Sequence, residues 1–388
     1  MTRIAVVGAG IVGAGVAYHL AARGADVVVI DDARPERATA AGAGIIAPVS
    51  SRTSDDERSD YMFAAAAHYL ELIERFEVGG LTEHSYGATG QLIVALDDAE
   101  LVQLEAVAER ASALIAQKGT VGIGSPEMLT QAEIRRRFPP VTTARGALWL
   151  PAVARVDGRN IRELLMTMAA QHGARVVEAR AELALTGSGS DNEPGSRVLG
   201  VRAGGELVTA DAVVVAAGVW AKDVAAETGL DLALYPQRGQ IVHLRMPGGS
   251  QLPVLNTFRG HYLLSFPGDR VVIGATREDD SGFDAHATAG GVDAVIRNGF
   301  SLVPDLSEAE WLEVRVGIRP ASRDGAPILG PVPGVDGLWL ATGFGATGLT
   351  LGPYSAKLLA ESVLGGAPAI PAAFAPDRRV INPSMTRR

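Results

Sequence analysis

The chain has 388 residues, 47% of them hydrophobic and 46 of them glycine, which suits one elaborate α/β enzyme or two domains rich in tight turns. A net charge of −9 argues against nucleic acid or an anionic membrane as the main partner. There is no cysteine, so disulfides, thiolate catalysis, Cys-ligated metals and cysteine-linked cofactors are excluded.

The first 32 residues carry the strongest signal. Arg3 to Val7 reads as a short apolar strand, Gly8, Gly10 and Gly13 give the spacing GxGxxG, and Val16 to Ala22 continues as a helix that Gly24 ends. Val27 to Ile30 is a second buried strand, closed by Asp31, 18 residues after Gly13. In this unit Gly8 allows a tight turn, Gly10 lets the backbone approach a pyrophosphate, and Gly13 brings helix and strand together. The helix N-terminus offers N–H groups and a positive dipole end to phosphate, and the acids Asp31 and Asp32 sit where a ribose hydroxyl is read. A bound adenine dinucleotide is the expectation. The apolar run Ile4 to Leu20 has its glycines at functional spacing and favours a soluble protein over a signal peptide or an anchor. A cytoplasmic location is expected, peripheral at the inner membrane face if a quinone accepts the electrons.

Further along, Asp60 to Val78 and Asp98 to Gly119 read as amphipathic helices with the strand Gly90 to Leu96 between them. Pro126 to Arg137 reads as a short helix stopped by Pro139 and Pro140, and Arg159 to Gly173 as a helix followed by the strand Ala174 to Glu178. Ser188 to Ser196 is turn-rich and reads as a hairpin tip. Asp211 to Gly218 reads as a buried strand ending on glycine. The segments QIVHLRM, HYLLSF and RVVIGAT between Gln240 and Thr276 alternate as strands of an antiparallel sheet. Val292 to Leu302 reads as a helix and Glu313 to Arg319 as a strand. Leu338 to Thr342, the turn Gly343 to Gly348 and the helix Leu349 to Val363 form a second strand–glycine–helix unit.

A nicotinamide enzyme brings a second mononucleotide half soon after the first. Here the stretch after Asp31 is ATAAGAGIIAPVS, a run of small residues suited to a large flat ligand. With Ala216 to Gly218 and the turn GFGATG, three distant segments close on one elongated cofactor, which fits FAD better than NAD. A helix N-terminus at Leu349 supplies positive potential where a reduced flavin is anionic.

On these motifs the chain resembles the FAD-dependent D-amino acid oxidase superfamily, in its glycine oxidase, sarcosine oxidase and D-amino acid dehydrogenase branch. The resemblance runs through AGIIAP (43–48), VVVAAGVWA (213–221), RGQIVHLR (238–245), GIRPASRDGAPILGPVPG (317–334) and GLWLATGFGATGLTLGP (337–353). It implies a Rossmann-like FAD-binding domain from 1–80, 145–230 and 318–388, and a second α+β substrate-binding domain on an antiparallel sheet from 81–144 and 231–317. It implies oxidation of an amine carbon, with hydride passing to flavin N5, to an imino acid that water converts to a 2-oxo acid.

By the same resemblance, Gly8, Gly10, Gly13, Asp31 and Asp32 fall at the pyrophosphate and ribose positions. Thr39, Ala41, Gly44 and Ile45 fall on the flavin-facing loop, and Glu182 near a backbone contact to adenine. Ala217, Gly218 and Trp220 match the AxG turn, and Gly345, Ala346, Thr347, Gly348, Leu349 and Thr350 the cradle under the isoalloxazine O2. Arg319 matches the carboxylate clamp, for which a bidentate guanidinium is suited, and Tyr262 the tyrosine that donates to the same carboxylate. Arg259, His261, Arg277 and Glu278 are candidates to line the pocket, and Ile45, Ile46, Met62 and Phe344 to make an apolar wall.

Departures from the family patterns carry information. Where glycine oxidases have a second arginine in the terminal turn, this chain has Ala346, which leaves room for a larger substrate. With no cysteine to link it, FAD is expected to be non-covalent. The position of the lysine near N5 in monomeric sarcosine oxidases is Val272, which favours a quinone or other acceptor over oxygen.

The leading expectation is a D-amino acid dehydrogenase or oxidase acting on a small amino acid. Alternatives are a sarcosine- or glycine-type amine oxidase, the flavin subunit of a hetero-oligomeric amine dehydrogenase, and a 2-hydroxy acid dehydrogenase. A homo-oligomer or a hetero-oligomeric partner is compatible with each, and no metal site is expected.

Overall fold

Two sheets of different character divide the chain. In the computed structural model, residues 1–49, 56–141, 143–186 and 195–378 are described. The glycine fingerprint opens a six-stranded sheet in the order Ile328–Pro331, Leu338–Thr342, Ala212–Val215, Arg3–Val7, Asp26–Asp31, Arg175–Glu178. All its pairings are parallel except that of Ile328–Pro331 with Leu338–Thr342. Val and Ile run continuously through these strands because both faces are covered. On one face the helices Ile11–Ala21, Asp56–Val78, Gly158–Gln171 and Gly348–Val363 bury Val12, Val16, Leu20, Tyr69, Leu72, Leu165 and Leu359 against Ile4, Val6, Val27 and Val29. On the other, Ala5, Val7, Val28, Ile30, Val213 and Val215 meet the small sheet of Ala181–Leu185, Ser196–Ala203 and Glu206–Thr209. Strand order reverses at Arg3–Val7, with Asp26–Asp31 on one side and Ala212–Val215 on the other, and a crevice opens there at the carboxyl ends.

The second sheet has eight strands, in the order Glu310–Ser322, Leu234–Arg245, Arg270–Gly274, Tyr262–Phe266, Val254–Thr257, Gln91–Ala95, Gly146–Leu150, Glu127–Leu129. It is antiparallel but for the parallel pair Val254–Thr257 and Gln91–Ala95. Strand alternation at Gln91–Ala95 sends Leu92 and Val94 to a core with Ile134, Phe138 and Val295, and Ile93 and Ala95 to a core with Leu104, Val107 and Leu148. Both faces are thus buried at that end. Gly146–Leu150, in a stretch that the sequence assigns to the dinucleotide-binding part, hydrogen-bonds within this sheet, and Glu310–Ser322 runs across the 317/318 boundary.

Several elements differ from the sequence reading. The first helix is Ile11–Ala21, the helix read from Val292 is Ala289–Leu302, and the strand read as Glu313 to Arg319 is Glu310–Ser322. The helix read over Pro126 to Arg137 is a strand, Glu127–Leu129, then a helix, Gln131–Arg137. Thr130 separates them: its hydroxyl accepts from Glu133 N while Glu133 returns to Thr130 N, a capping box that starts the helix after the strand. Of the tip read at Ser188 to Ser196, residues 188 to 194 lie outside the described residues.

The two sheets are tied by a cluster of charges. Asp157 caps the helix Gly158–Gln171 through Arg159 N and accepts from Arg270 Nη2 at 2.9 Å, with Arg315 at 3.5 Å. Arg155 and Arg270 both lie over the Phe266 ring, at 4.8 and 4.0 Å from its centroid.

Candidate active site

A cavity of about 690 Å³ runs from the glycine fingerprint to the eight-stranded sheet. At the fingerprint, Gly8 has φ +96°, and a Cβ there would stand 2.7 Å from Ala216 O, so this turn takes glycine only. Gly10 and Gly8 line the cavity, and Gly10 starts the helix Ile11–Ala21 without a side-chain cap or an acidic residue in its first turn. Gly13 does not line the cavity. A Cβ at Gly13 would fall 1.9 Å from Gly8 O, so its work is to seat the helix on the turn, a correction to its assignment as a cofactor contact.

Asp31 lines the cavity and already organises the loop, accepting from Ala9 N at 3.1 Å and pairing with Arg37 at 3.2 Å. Asp32 also lines it and is held by Arg34, whose guanidinium lies 4.8 Å over the Trp220 ring. Thr39 Oγ1 accepts from Ile11 N at 3.0 Å, which positions the loop of Thr39, Ala41, Gly44 and Ile45, all of them lining residues. Gly44 (φ +91°) passes so close to the backbone of Val156 that a Cβ would meet Val156 O at 1.7 Å. Glu182, Ala217, Gly218 and Trp220 line the nucleotide end.

From the other side, Gly345, Ala346, Thr347, Gly348, Leu349 and Thr350 line the cavity. The helix Gly348–Val363 begins there at Thr347, again with no side-chain cap and no acid in the first turn. Thr350 Oγ1 donates to Ile45 O at 3.0 Å and Tyr69 donates to Leu349 O at 2.5 Å, fixing this helix start against the flavin-facing loop. Two helix N-termini of positive potential therefore open onto one elongated cavity whose walls are close-approach backbone. That donor set fits the pyrophosphate of FAD at one end and an electron-rich ring edge at the other.

On the sheet side, Arg319 and Tyr262 line the cavity. Arg319 Nη1 donates to Thr276 O at 3.1 Å and to Gln237 Oε1 at 3.3 Å. Burial lowers the guanidinium from its usual arginine value, with Tyr262, Glu278 and Asp279 acting the other way. Burial pushes the Tyr262 hydroxyl up to about 12, against the pull of Arg319 and Arg277, so it stays a proton donor. The sequence did not single out Gly239, Gly274 or Gln237. The two glycines read as ordinary strand residues until the side chains that lie across them are seen.

The remaining candidates separate. His261, Arg277, Ile45, Met62 and Phe344 line the cavity. Arg259 does not: it pairs outside with Glu100 and Asp97, at 2.8 and 2.9 Å. Glu278 does not either: it binds Arg238, Gln240 and Thr276 and buttresses the sheet. Ile46 is buried in the core behind the loop, and Val272 does not line the cavity but packs with Ile241, Leu264 and Phe266 in a cluster that the lining residues Ala43, Ile45 and Tyr262 cover.

A family model described as "FAD dependent oxidoreductase", the DAO family, matches residues 3–362. The chain belongs to that family. This FAD-dependent oxidoreductase is 36% identical over 363 residues to the uncharacterized oxidoreductase YurR of Bacillus subtilis (strain 168), which covers 93% of this chain and 94% of YurR. It is 30% identical to the glycine oxidase of Geobacillus kaustophilus (strain HTA426), over 93% of this chain and 92% of that one. Among solved structures, iminodiacetate oxidase from Chelativorans sp. BNC1 superposes with a TM-score of 0.89 at 37% identity, covering 96% of this chain and 99% of that chain. The protein is thus an FAD-dependent enzyme acting on CH–NH donors, with the mixed α/β fold of its family. Among the described residues no helix is long and apolar enough to cross a membrane, and no group of metal-binding side chains is assembled.

Proposed function

We propose that the protein oxidises the C–N bond of a small α-amino acid, primary or secondary at nitrogen, whose carboxylate is held by Arg319 and Tyr262. The observation that carries this is the convergence of these two side chains in the same cavity as the starts of the two helices Ile11–Ala21 and Gly348–Val363, neither of which has an acid in its first turn. Gly8, Gly10 and Asp31 would hold the nucleotide half of FAD with Glu182 and Ala217 to Trp220. Thr39 to Ile45 and Gly345 to Thr350 would hold the ring half. FAD bound there supplies the two-electron acceptor.

The chain's own residues do the positioning. Arg319, pinned through Nη1, presents its other N–H groups to the carboxylate, and Tyr262 donates its hydroxyl. Orientation of the α-carbon supplies much of the remaining barrier reduction. The clamp end is cationic, which favours the neutral amine over the ammonium form required to lose a proton. Ile45, Met62 and Phe344 line the cavity as apolar walls that exclude water from the reacting carbon. Glycine and iminodiacetate, the substrates named for relatives of this chain, are both amines of this kind.

A D-amino acid is the second reading, favoured by Ala346, which is exposed at the cavity and leaves space for a side chain. The test is an anaerobic absorbance titration of the purified yellow protein with glycine, sarcosine, D-alanine, D-proline and L-proline. Bleaching of the long-wavelength flavin band by one of them is expected. Bleaching only by 2-hydroxy acids sinks the amine reading, and readmitted air then sorts oxygen from a quinone as acceptor.

A further inference from the structure

A loop of the eight-stranded sheet reaches across to the nucleotide end of the cavity. It follows the strand Arg270–Gly274 and leads into the helix Ala289–Leu302. Both of its feet are bolted to the strand Leu234–Arg245. At one foot, Glu278 accepts from Arg238 Nη2 at 2.6 Å and from Gln240 Nε2 at 2.7 Å, and Asp279 accepts from Gln237 Nε2 at 2.7 Å. At the other, Arg238 Nη1 pairs with Asp284 at 3.3 Å, and the Gln240 amide exchanges two hydrogen bonds of 3.0 Å with Thr288.

Between the feet the chain turns at Gly282, whose φ of +56° favours glycine, and presents Phe283. This side chain is 50% exposed, belongs to none of the hydrophobic cores and does not line the cavity. Its aromatic partner is Trp220, with ring centroids 6.1 Å apart and the planes tilted by 31°.

Trp220 stands on the turn after the strand Ala212–Val215 and lines the cavity. Its indole N–H has no hydrogen-bond partner among the described residues, so packing fixes the ring. Two groups supply that packing. One is Phe283. The other is the Arg34 guanidinium, 4.8 Å over the ring and itself bound to Asp32 at 2.5 Å. Arg34 and Asp32 lie just past the glycine-fingerprint unit and line the cavity, whereas Phe283 comes from the opposite sheet. The indole is therefore where the two halves of the fold meet over the nucleotide end. With both feet fixed, the loop presents Phe283 there without a further ordering cost.

We propose that Phe283 is a positioning residue for the cofactor: through Trp220 it latches the nucleotide end of the site and slows the escape of FAD. This rests on the placement of the FAD nucleotide at Trp220 given above, and does not depend on which amine is oxidised.

The test is the rate at which purified holoenzyme, diluted into FAD-free buffer, releases FAD, read as free-flavin fluorescence. Phe283→Ala is expected to release FAD about three- to tenfold faster, the size of one aromatic pair. Phe283→Tyr, which keeps the ring, should release at the wild-type rate. Trp220→Ala should release faster still, and adding Phe283→Ala to it should bring no further acceleration, because the latch acts only through the indole. Wild-type release from Phe283→Ala, with faster release from Trp220→Ala, overturns the latch and leaves the cofactor where it was placed. Wild-type release from Trp220→Ala overturns that placement as well. Undiminished acceleration by Phe283→Ala in the Trp220→Ala background shows that Phe283 acts by another route, and also overturns the proposal.

Discussion

Arg319 and Tyr262 reach towards each other over one face of the sheet, from the strands on either side of the pair Leu234–Arg245 and Arg270–Gly274, each lying flat across a glycine. The Arg319 guanidinium covers Gly239, where a Cβ would meet Nη2 at 2.2 Å, and the Tyr262 hydroxyl covers Gly274, where a Cβ would meet Oη at 2.5 Å. Arg319 is paired in register with Gln237, and Tyr262 with Gly274, so the side chains cross strands to converge. The clamp therefore depends on two residues that touch no substrate. In Gly239→Ala the clash falls on the far end of Arg319, so thermal stability should change little while the clamp is lifted; in Gly274→Ala the new methyl also meets Cγ2 of the buried Ile241 at 2.8 Å, so stability falls as well. A displacement near 1 Å costs about 10²-fold in rate. We expect kcat/KM to fall by about that factor with flavin content retained. Wild-type kinetics in both variants would show that neither side chain orients the substrate.

Removing the guanidinium itself is a stronger perturbation. Arg319→Ala should raise KM and lower kcat/KM by about 2–5 kcal/mol, because a desolvated carboxylate loses its charged partner. Arg319→Lys should recover only part, since an ammonium offers no planar fork. Unchanged steady-state kinetics would remove Arg319 from the site.

The dinucleotide unit was legible because it is local: strand, three glycines, helix and acid lie within 32 residues, and each residue type has one plain physical reason to be there. The clamp pair was legible only through family resemblance. The floor of Gly239 and Gly274 was not, because its meaning depends on side chains from two other strands. The pairing of Val254–Thr257 with Gln91–Ala95 was hidden for the same reason, as long-range sheet partners leave no mark in local periodicity. At 277 and 278 the chain alternates between cavity and sheet, so neighbouring charged residues have unrelated tasks, and composition alone cannot separate them.

Asp31 tests the nucleotide end. Its carboxylate holds both Ala9 N and Arg37, so Asp31→Ala frees the glycine loop as well as removing an acceptor for a ribose hydroxyl. The ratio of flavin to protein absorbance after desalting should drop. Relative kcat/KM among the amines, measured with added FAD, should hold. A changed preference at full flavin occupancy would mean that the nucleotide end has been placed wrongly.

Buried histidines away from the cavity set the acid limit of stability. Burial, with help from Arg315 and Arg270 and against Glu313 and Asp157, lowers His243 to about 3. Burial, with Lys357 and Arg75 and against Glu71, lowers His68 to about 4. An unfolded histidine titrates near 6.5, so between pH ~6.5 and ~4 the unfolded chain binds protons that the native state refuses. Stability contributed by the neutral rings is therefore complete above pH ~6.5 and falls as pH drops, by about 1.4 kcal/mol per pH unit for each histidine. The thermal midpoint should decline across that window with proton uptake on unfolding. In His243→Gln the decline should be shallower, because one of the refused protons is gone. A slope identical to wild type would show that His243 is protonated in the folded protein throughout the window, and that the charge cluster around Asp157 accommodates it.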